Sequence, residues 1–377
     1  MKIVYCIAGT FNSGGMERVL ANKANYLAAH GHEVGIITTD QRGRKPFFFL
    51  DERVHCYDLN VNYNSNNGKS FFNKLFRYPF KHIKHKNVLA SLLNELKAEI
   101  VVSMFCNDFS FITGINDGSR KILEAHFSKF KRLQYERKGL WRLADVYRNL
   151  MDEKRVIKFD RFVVLTREDK IYWGDLPNIT VIPNAITCMP EEIAALDNKK
   201  AIAVGRYTYQ KGFDYLIDVW GLVHQIQPDW ELDIIGDGEL REQLQMQINK
   251  NGLQQSVHLI PPTPNIYYNY SQASIMVMSS RYEGLPMVLL EASAFGLPIV
   301  SFACKCGPGD IVAHGDNGFL ILQGNIKKMA DKLCLLMKDD KRRKQMGTAA
   351  RKKALDFTEE AVMDKWTKLF EQLVNNK

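Results

Sequence analysis

The sequence has no apolar run that approaches the length of a membrane-spanning helix, about 18 residues. Its opening apolar segment breaks at Gly9 and no cleavage-type segment follows, so we expect a first β-strand there and no signal peptide. The seven cysteines are odd in number and scattered, which disfavours a disulfide framework and favours reduced, buried thiols. We therefore expect a cytoplasmic protein without a membrane span.

Motifs of other protein classes are missing too. The G-x-G-x-x-G signature of dinucleotide-dependent oxidoreductases is absent after the first strand, because Gly9, Gly14 and Gly15 have the wrong spacing. Cys304 and Cys306 have neither a second cysteine pair nor nearby histidines, so they are weak evidence for zinc. A net charge of +9 suggests an anionic partner, but no nucleic-acid recognition fold accompanies it.

The pattern of the chain predicts two domains. With 377 residues, 46% of them hydrophobic, it can fill two cores. Short β-rich runs alternate with helical ones from Ile3 onward and again from Ala201 onward, which is typical of doubly wound α/β domains. Pro183 and Asn184, with the polar stretch 190–200, form the predicted hinge. The fold class is therefore α/β, with two Rossmann-like doubly wound domains.

A predicted helix with an open N-terminus lies in the second half, in EGLPMVLLEASAFG, which starts at Glu283. Pro286 at its first position leaves neighbouring amides free to bind an anion such as phosphate. Glu291 lies two turns along the same face, where a carboxylate can accept hydrogen bonds from vicinal sugar hydroxyls. Taken alone, a capping Glu283 and a solvated Glu291 would explain the pattern as well. The amides in question belong to Gly284, Leu285, Met287 and Val288.

Two cations in VGRYTYQKGF add to the evidence that this helix belongs to an anion-binding site. Arg206 directly follows a predicted strand and Lys211 precedes a predicted helix. Both would lie at the carboxyl end of the sheet, where open α/β sheets bind ligands. Two solvated loop cations are the alternative interpretation.

From Val204 to Phe319 the chain resembles the retaining glycosyltransferases of family 4. It does so more loosely in the N-terminal half, where Ala185 stands in IPNAI at a position that is usually glycine in the family. The motifs are GR-x4-KG (205–212), IIGDGE (234–239), the E-x7-E pair of Glu283 and Glu291, NGFL (317–320), GGMERV (14–19), EAH (124–126) and VLT (164–166).

The resemblance implies the GT-B architecture, in which two Rossmann-like domains face each other across a cleft. Residues 1–183 would form the acceptor domain and residues 184–357 the nucleotide-sugar donor domain. The last helix, within 358–377, would cross back to the first domain.

The resemblance also implies roles for single residues. Arg206 and Lys211 would clamp the donor diphosphate, Glu291 would bind the nucleotide ribose, and Glu283 would hold sugar hydroxyls. His126 would lie near the transferred sugar. A lone histidine is more often a satisfied loop residue, but the position of His126 after a predicted strand in the facing domain favours the site role. The amides of Gly284, Leu285, Met287 and Val288, flanking Pro286, would complete the phosphate and sugar cradle, and Gly14 and Gly15 would let the backbone approach the donor phosphates.

The mechanism expected from this assignment needs no metal or cofactor. Breaking a glycosyl phosphate bond builds negative charge on the diphosphate, which fixed cations and helix amides can stabilise. No D-x-D motif stands at the end of a predicted strand, since the acidic stretch 229–233 runs into one. The family resemblance implies retention of configuration by same-face attack, with the leaving phosphate helping to deprotonate the acceptor.

The resemblance leaves the substrates open. UDP is the commonest donor nucleotide in the family, and SFACKCGP (301–308) resembles members that build surface polysaccharides. We therefore expect transfer of a UDP-linked hexose or N-acetylhexosamine to a glycan or lipid-linked acceptor. A GDP-mannose-dependent mannosyltransferase is the alternative, and a non-catalytic nucleotide-sugar-binding module is the alternative of another class.

Two basic and aromatic stretches, 69–86 and 129–148, lie in the half that receives the acceptor in this family, and the first has no acidic residue. Polybasic segments gain about 1 kcal/mol per Lys or Arg at an anionic bilayer. We expect docking on the inner membrane face and a polyprenyl-diphosphate-linked acceptor, while a solvated basic surface is the alternative. The cations assigned to this contact are Lys74, Arg77, Lys81 and Lys84.

Overall fold

The structure, a computed structural model, describes residues 1–63, 71–130 and 139–375, with backbone alone for 71–77, 140, 141 and 144. The chain forms two compact units. The first comprises Met1–Leu165, Lys170–Ile182 and Met363–Lys377, and the second Thr166–Asp169 and Pro183–Val362. No helix in the described ranges is both long and apolar enough to cross a membrane.

The first unit is built on a parallel sheet of seven strands in the order β3-β2-β1-β4-β5-β6-β7. Of its central strands, β4 is buried throughout and β5 is buried except at Arg120, as expected for a parallel sheet covered by helices on both faces. The strands are β1 Lys2–Ile7, β2 Glu33–Thr38, β3 Val54–Asp58, β4 Ile100–Ser103, β5 Arg120–Ala125, β6 Arg161–Val164 and β7 Ile179–Val181. The first helices are α1 Gly15–Ala29, α2 Phe71–Leu96, α3 Leu140–Val156 and α4 Arg167–Trp173.

The second unit has a parallel sheet of six strands in the order β10-β9-β8-β11-β12-β13. Its strands are β8 Lys200–Val204, β9 Glu231–Ile235, β10 Val257–Ile260, β11 Ile275–Met278, β12 Ile299–Phe302 and β13 Gly318–Ile321. The remaining helices are α5 Phe213–Ile226, α6 Arg241–Lys250, α7 Ile266–Gln272, α8 Met287–Ala294, α9 Pro308–Ile311, α10 Ile326–Lys338, α11 Asp340–Ala354 and α12 Glu359–Asn375.

Both sheets reverse their strand order at one point, between β1 and β4 in the first unit and between β8 and β11 in the second. The expected doubly wound α/β fold is thereby confirmed for each unit. In such sheets the loops after the two central strands diverge and leave a crevice at the carboxyl edge, where ligands bind. The two candidate sites below lie at these points.

Three elements differ from the sequence prediction. The helix expected at Pro286 begins at Met287, with Pro286 as its N-cap. Residues 88–97, one of the helical runs of the first half of the sequence, form the end of a much longer helix, α2, which starts at Phe71 and contains Pro79. Strand β3 was not predicted, because its sequence VHCYD has only one fully buried residue and lacks a clear apolar pattern.

Candidate functional site

An ion pair connects the two loops at the reversal point of the second sheet. Lys211 follows β8 and Glu283 follows β11, and Lys211 Nζ lies 2.8 Å from Glu283 Oε1. Ser280 Oγ donates to the same carboxylate oxygen over 2.6 Å. The side chains of Lys211 and Glu283 are only 17% and 8% exposed. Lys211 is therefore not a solvated loop cation, and Glu283 is occupied by this pair.

Arg206 lies in the same loop but outside this contact. It is exposed, and no residue in the described part of the chain forms an ion pair with its guanidinium. Arg206 thus follows β8 at the carboxyl edge of the sheet, as the sequence predicts. Its predicted role at a diphosphate stays a prediction.

The Lys211 loop is held by Arg281, a residue that the sequence analysis did not assign. Arg281 donates to both carboxylate oxygens of Asp214, at 2.9 and 2.6 Å, and to the carbonyl of Tyr209 at 2.7 Å. Gly212 has φ 62°, and a Cβ there would lie 2.3 Å from the Ser279 carbonyl oxygen. The loop after β8 therefore has a defined conformation. The available signal was a cation two residues before Glu283, where the E-x7-E motif begins.

The start of α8 presents unused donors beside the ion pair. Within the described ranges, the amides of Gly284, Leu285, Met287 and Val288 donate no hydrogen bond to the protein. Pro286, the N-cap, has no N–H. Together with the positive end of the helix dipole, these amides form a surface suited to an anion or to hydroxyl oxygens.

The loop after β12 packs against the start of α8. Gly307 has φ 96°, and a Cβ there would lie 2.3 Å from Pro286 Cδ and 2.8 Å from the Gly284 carbonyl oxygen. The Glu283 amide donates to the Lys305 carbonyl over 3.4 Å. The fragment 301–308 is therefore a structural support of the candidate site.

Cys304, in that supporting loop, is buried. Burial raises the pKa of its thiol, and the nearby Glu283 charge raises it further, so the thiol stays protonated.

Among the described residues, the side chains with metal-ligand geometry are Glu231, Asp233 and His258, on β9 and β10 near the opposite edge of the sheet. Lys200 Nζ already lies 3.1 Å from Asp233, so these side chains form an ordinary ion-pair cluster.

Glu291 lies inside α8 and is 7% exposed. Its Oε2 accepts a hydrogen bond of 3.0 Å from the hydroxyl of Tyr270, which is fully buried. The interpretation of Glu291 as a solvated helix residue is therefore wrong. The ribose role of Glu291 stays a prediction.

The glycines predicted to meet the donor phosphates lie at the start of α1 in the first unit. Gly14 is the N-cap, and a Cβ there would meet only the end of the Glu17 side chain, with Oε2 at 2.2 Å. A Cβ at Gly15 would meet nothing within 4 Å. The backbone is therefore open at Gly15, while the Glu17 side chain lies beside Gly14, and the role of both glycines at the donor stays a prediction.

His126 follows β5 and is nearly buried in the first unit. Its Nε2 lies 3.1 Å from Glu124 Oε1, with the side chains 7% and 1% exposed. The same carboxylate pairs with Lys23 on α1 at 2.6 Å. The sequence analysis did not assign Lys23, because a lysine in an amphipathic helix is normally taken as solvent-facing.

A cavity of about 730 Å³ lies at the reversal point of the first sheet. It is lined by residues after β1 and β4 and by α2 and α3. Phe105 stacks on Phe109 with ring centroids 4.3 Å apart and has φ 55°, an unusual backbone conformation for an aromatic residue. The aromatic and cationic lining residues are Tyr78, Phe105, Phe109, Tyr147, Arg148 and Arg155.

Two family models together cover most of the chain. Residues 13–188 match the model described as Glycosyltransferase Family 4, and residues 189–353 match Glycosyl transferases group 1. A Haemophilus influenzae protein named an uncharacterized glycosyltransferase is 35% identical over 375 residues, which cover 97% of this chain and 98% of that protein. The chain belongs to glycosyltransferase family 4. The resemblance inferred from its motifs is confirmed.

Further comparisons place this family 4 glycosyltransferase among related proteins. The amylovoran biosynthesis glycosyltransferase AmsD of Erwinia amylovora is 28% identical over 97% of this chain and 98% of that protein. Sucrose-phosphate synthase from Thermosynechococcus elongatus matches in structure with a TM-score of 0.80 at 16% identity, over 100% of both chains. The structural likeness shows that the fold is of the GT-B type.

Proposed function

We propose that this glycosyltransferase is a retaining, metal-independent enzyme that transfers a hexose or N-acetylhexosamine from a UDP-sugar to a polyprenyl-diphosphate-linked acceptor. The observation that supports the donor part of this proposal is the Lys211–Glu283 ion pair beside the open amides of α8. The cation suits the diphosphate of a nucleotide sugar, the carboxylate suits the sugar hydroxyls, and the amides suit the leaving oxygen.

The donor chemistry follows from charge. As the glycosyl phosphate bond breaks, negative charge grows on the diphosphate, and Lys211, Arg206 and the α8 amides can stabilise it without a metal. Glu283, held by Lys211 and Ser280 at 2.8 and 2.6 Å, can exchange these partners for sugar hydroxyls. Glu291 can hold the ribose from a buried position. Retention of configuration is the behaviour implied by the family.

The acceptor half is supported by the cavity of the first unit. Its aromatic walls suit the apolar faces of sugar rings or the start of a polyprenyl chain. Arg148 and Arg155 can pair with a diphosphate. A Campylobacter jejuni relative, 25% identical over 100% of this chain and 99% of its own, is named as an α-1,4-N-acetyl-D-galactosaminyltransferase acting on a diphosphoundecaprenol-linked glycan. With the amylovoran relative, it favours a role in surface polysaccharide or glycan synthesis.

Membrane docking through α2 completes the proposal. Phe80 and Ile83 are 74% and 58% exposed on this helix, next to cations that an anionic bilayer would attract. Lys81 and Lys84 donate to the carbonyls of Asn62 and Asn60. The side chains of Lys74 and Arg77 lie outside the described residues.

Turnover of sugar nucleotides by the purified protein tests the donor half. Arg206→Ala and Lys211→Ala should each lower turnover by about 10² or more, the loss typical of one electrostatic donor at an oxyanion. Lys199→Ala is the control, because Lys199 is an exposed cation at the opposite edge of the same sheet. EDTA should leave wild-type turnover unchanged.

Three outcomes would contradict the proposal. Loss of activity with EDTA and its return with Mn²⁺ would overturn the metal-free mechanism. Binding of a sugar nucleotide without any turnover would favour a non-catalytic binding module. A thermal shift with GDP-mannose and none with UDP-sugars would favour the mannosyltransferase alternative.

A further inference from the structure

A lysine lies on the buried face of α1. Lys23 is 5% exposed and shares that face with the apolar side chains of Leu20, Ala24 and Leu27. Lysines at such positions normally extend their ammonium group to water. Lys23 instead places its Nζ 2.6 Å from Oε1 of Glu124, at the end of β5.

Two aromatic rings lie close to the same ammonium group. Lys23 Nζ lies 3.8 Å from the centre of the Trp366 ring, on α12, and 5.8 Å from the centre of the Tyr5 ring, on β1. Trp366 and Tyr5 are themselves buried. Burial lowers the pKa of Lys23 and the Glu124 charge opposes that effect. The ring faces and the carboxylate together favour a charged ammonium here.

One carboxylate oxygen of Glu124 lies close to two side chains that can carry a positive charge. Its Oε1 lies 2.6 Å from Lys23 Nζ and 3.1 Å from His126 Nε2. Burial raises the pKa of Glu124, but the charges of Lys23 and His126 outweigh this and lower it to about 2. The carboxylate is therefore ionised throughout the working pH range.

Two polar atoms of this network remain without a hydrogen bond among the described residues. They are Glu124 Oε2 and His126 Nε2, and both are buried. A buried polar atom without a partner costs about 1–3 kcal/mol. Buried ion pairs also add little stability compared with apolar side chains of the same volume. Stability alone therefore does not account for three ionisable groups at this place.

We propose that Lys23 and Glu124 are positioning residues for His126, with the Glu124 carboxylate 3.1 Å from the imidazole and Lys23 compensating the Glu124 charge. In general, an uncompensated carboxylate beside an imidazole favours the imidazolium form, which has no acceptor nitrogen. A neutral imidazole, by contrast, can accept a hydrogen bond from a sugar hydroxyl. This inference rests on the proposed function, which places His126 near the transferred sugar.

The titratable groups around Glu124 come from three elements. In the described part of the chain they are Tyr5 on β1, Lys23 on α1 and His126 after β5. Trp366 on α12 contributes a ring face and no titratable group. A change at Lys23 should therefore act chiefly on His126, since Tyr5 is neutral in the working pH range; burial raises its pKa.

The pH dependence of Lys23→Met tests the proposal. An opposite charge within about 4–6 Å changes an ionisation midpoint by about one to three pH units, so the acid limb of the turnover profile should move upward by at least about one. The donor KM should change little, while kcat near pH 7 falls. The double variant Lys23→Met, Glu124→Gln removes both charges and should return the acid limb toward its wild-type position.

A matched control separates this effect from a loss of packing. Leu27→Ala opens a cavity on the same face of α1, so it should lower Tm and leave the pH profile in place. If Lys23→Met does not fold, Lys23→Gln, which is neutral and can still donate to Glu124, takes its place.

A titration of the His126 ring by NMR, without substrate, keeps the test independent of turnover. Its signal is identified by its loss in His126→Gln, and its midpoint should move to higher pH in Lys23→Met. Superimposable midpoints and pH profiles for the variant and the wild type would overturn the positioning role. Absence of all sugar-nucleotide turnover, with the midpoint still displaced, would contradict the proposed function and leave the coupling of Lys23 to His126 standing.

Discussion

Glu283 has competing partners at the candidate donor site. Its carboxylate accepts from Lys211 Nζ and Ser280 Oγ through a single oxygen, Oε1. A bound diphosphate would attract Lys211 as a second anion, and the carboxylate would then be available to sugar hydroxyls. In the proposed site, donor binding would therefore exchange the Lys211–Glu283 pair for contacts of Lys211 with the diphosphate and of Glu283 with the sugar hydroxyls.

Glu291 allows a direct test of nucleotide binding. Glu291→Gln should weaken donor binding by about 1–3 kcal/mol, the scale of a hydrogen bond to a charged group. Isothermal titration with the nucleotide alone measures this, and Tyr270→Phe, which removes one internal hydrogen bond to Glu291 and leaves the carboxylate in place, should have a smaller effect. Unchanged nucleotide affinity in Glu291→Gln would remove this residue from the ribose role.

At the scale of elements, the loop after β12 and the start of α8 form one structural unit. Gly307 is required there by its φ of 96° and by Pro286 and Gly284, which leave no room for a Cβ. Gly307→Ala should lower both Tm and donor affinity, because the loop or the α8 amides must shift. Differential scanning fluorimetry with and without nucleotide measures both effects.

Gly309 provides the matched control two residues away. A Cβ at Gly309 would meet nothing within 4 Å, and Gly309→Ala should behave like the wild type. Equal Tm and affinity in the two alanine variants would show that the loop adapts freely and does not define the site.

The sequence predicted these elements unevenly. The strands that flank the donor site were found because their apolar runs are continuous and end at Gly205 and Ser279. The support by Gly307 could not be predicted, since it joins two loops through a close approach that no local pattern records. Lys23 was missed for a related reason: its burial depends on Glu124 and Trp366, which are 101 and 343 residues further along the chain.

For the whole molecule, liposome sedimentation tests the proposed membrane contact. Wild type should pellet with anionic vesicles at low salt, because each cation adds about 1 kcal/mol of attraction. The variant with Lys74, Arg77, Lys81 and Lys84 changed to Glu should stay in solution and keep its affinity for the sugar nucleotide.

The control for this experiment changes the same net charge elsewhere. Lys327, Lys328, Lys338 and Lys352 are exposed on helices of the second unit, and their replacement by Glu should leave sedimentation unchanged. Equal sedimentation of the α2 variant and the wild type would favour a solvated basic surface and a soluble acceptor.

The anomeric configuration of the transferred sugar tests the central claim most directly. The purified protein is incubated in EDTA with an α-linked UDP-hexose or UDP-N-acetylhexosamine and a polyprenyl-diphosphate-linked glycan, and the product is examined by NMR. Our account predicts an α-linked product from the wild type and about 10²-fold less of it from Lys211→Ala. A β-linked product, or equal yields from the two proteins, would contradict it.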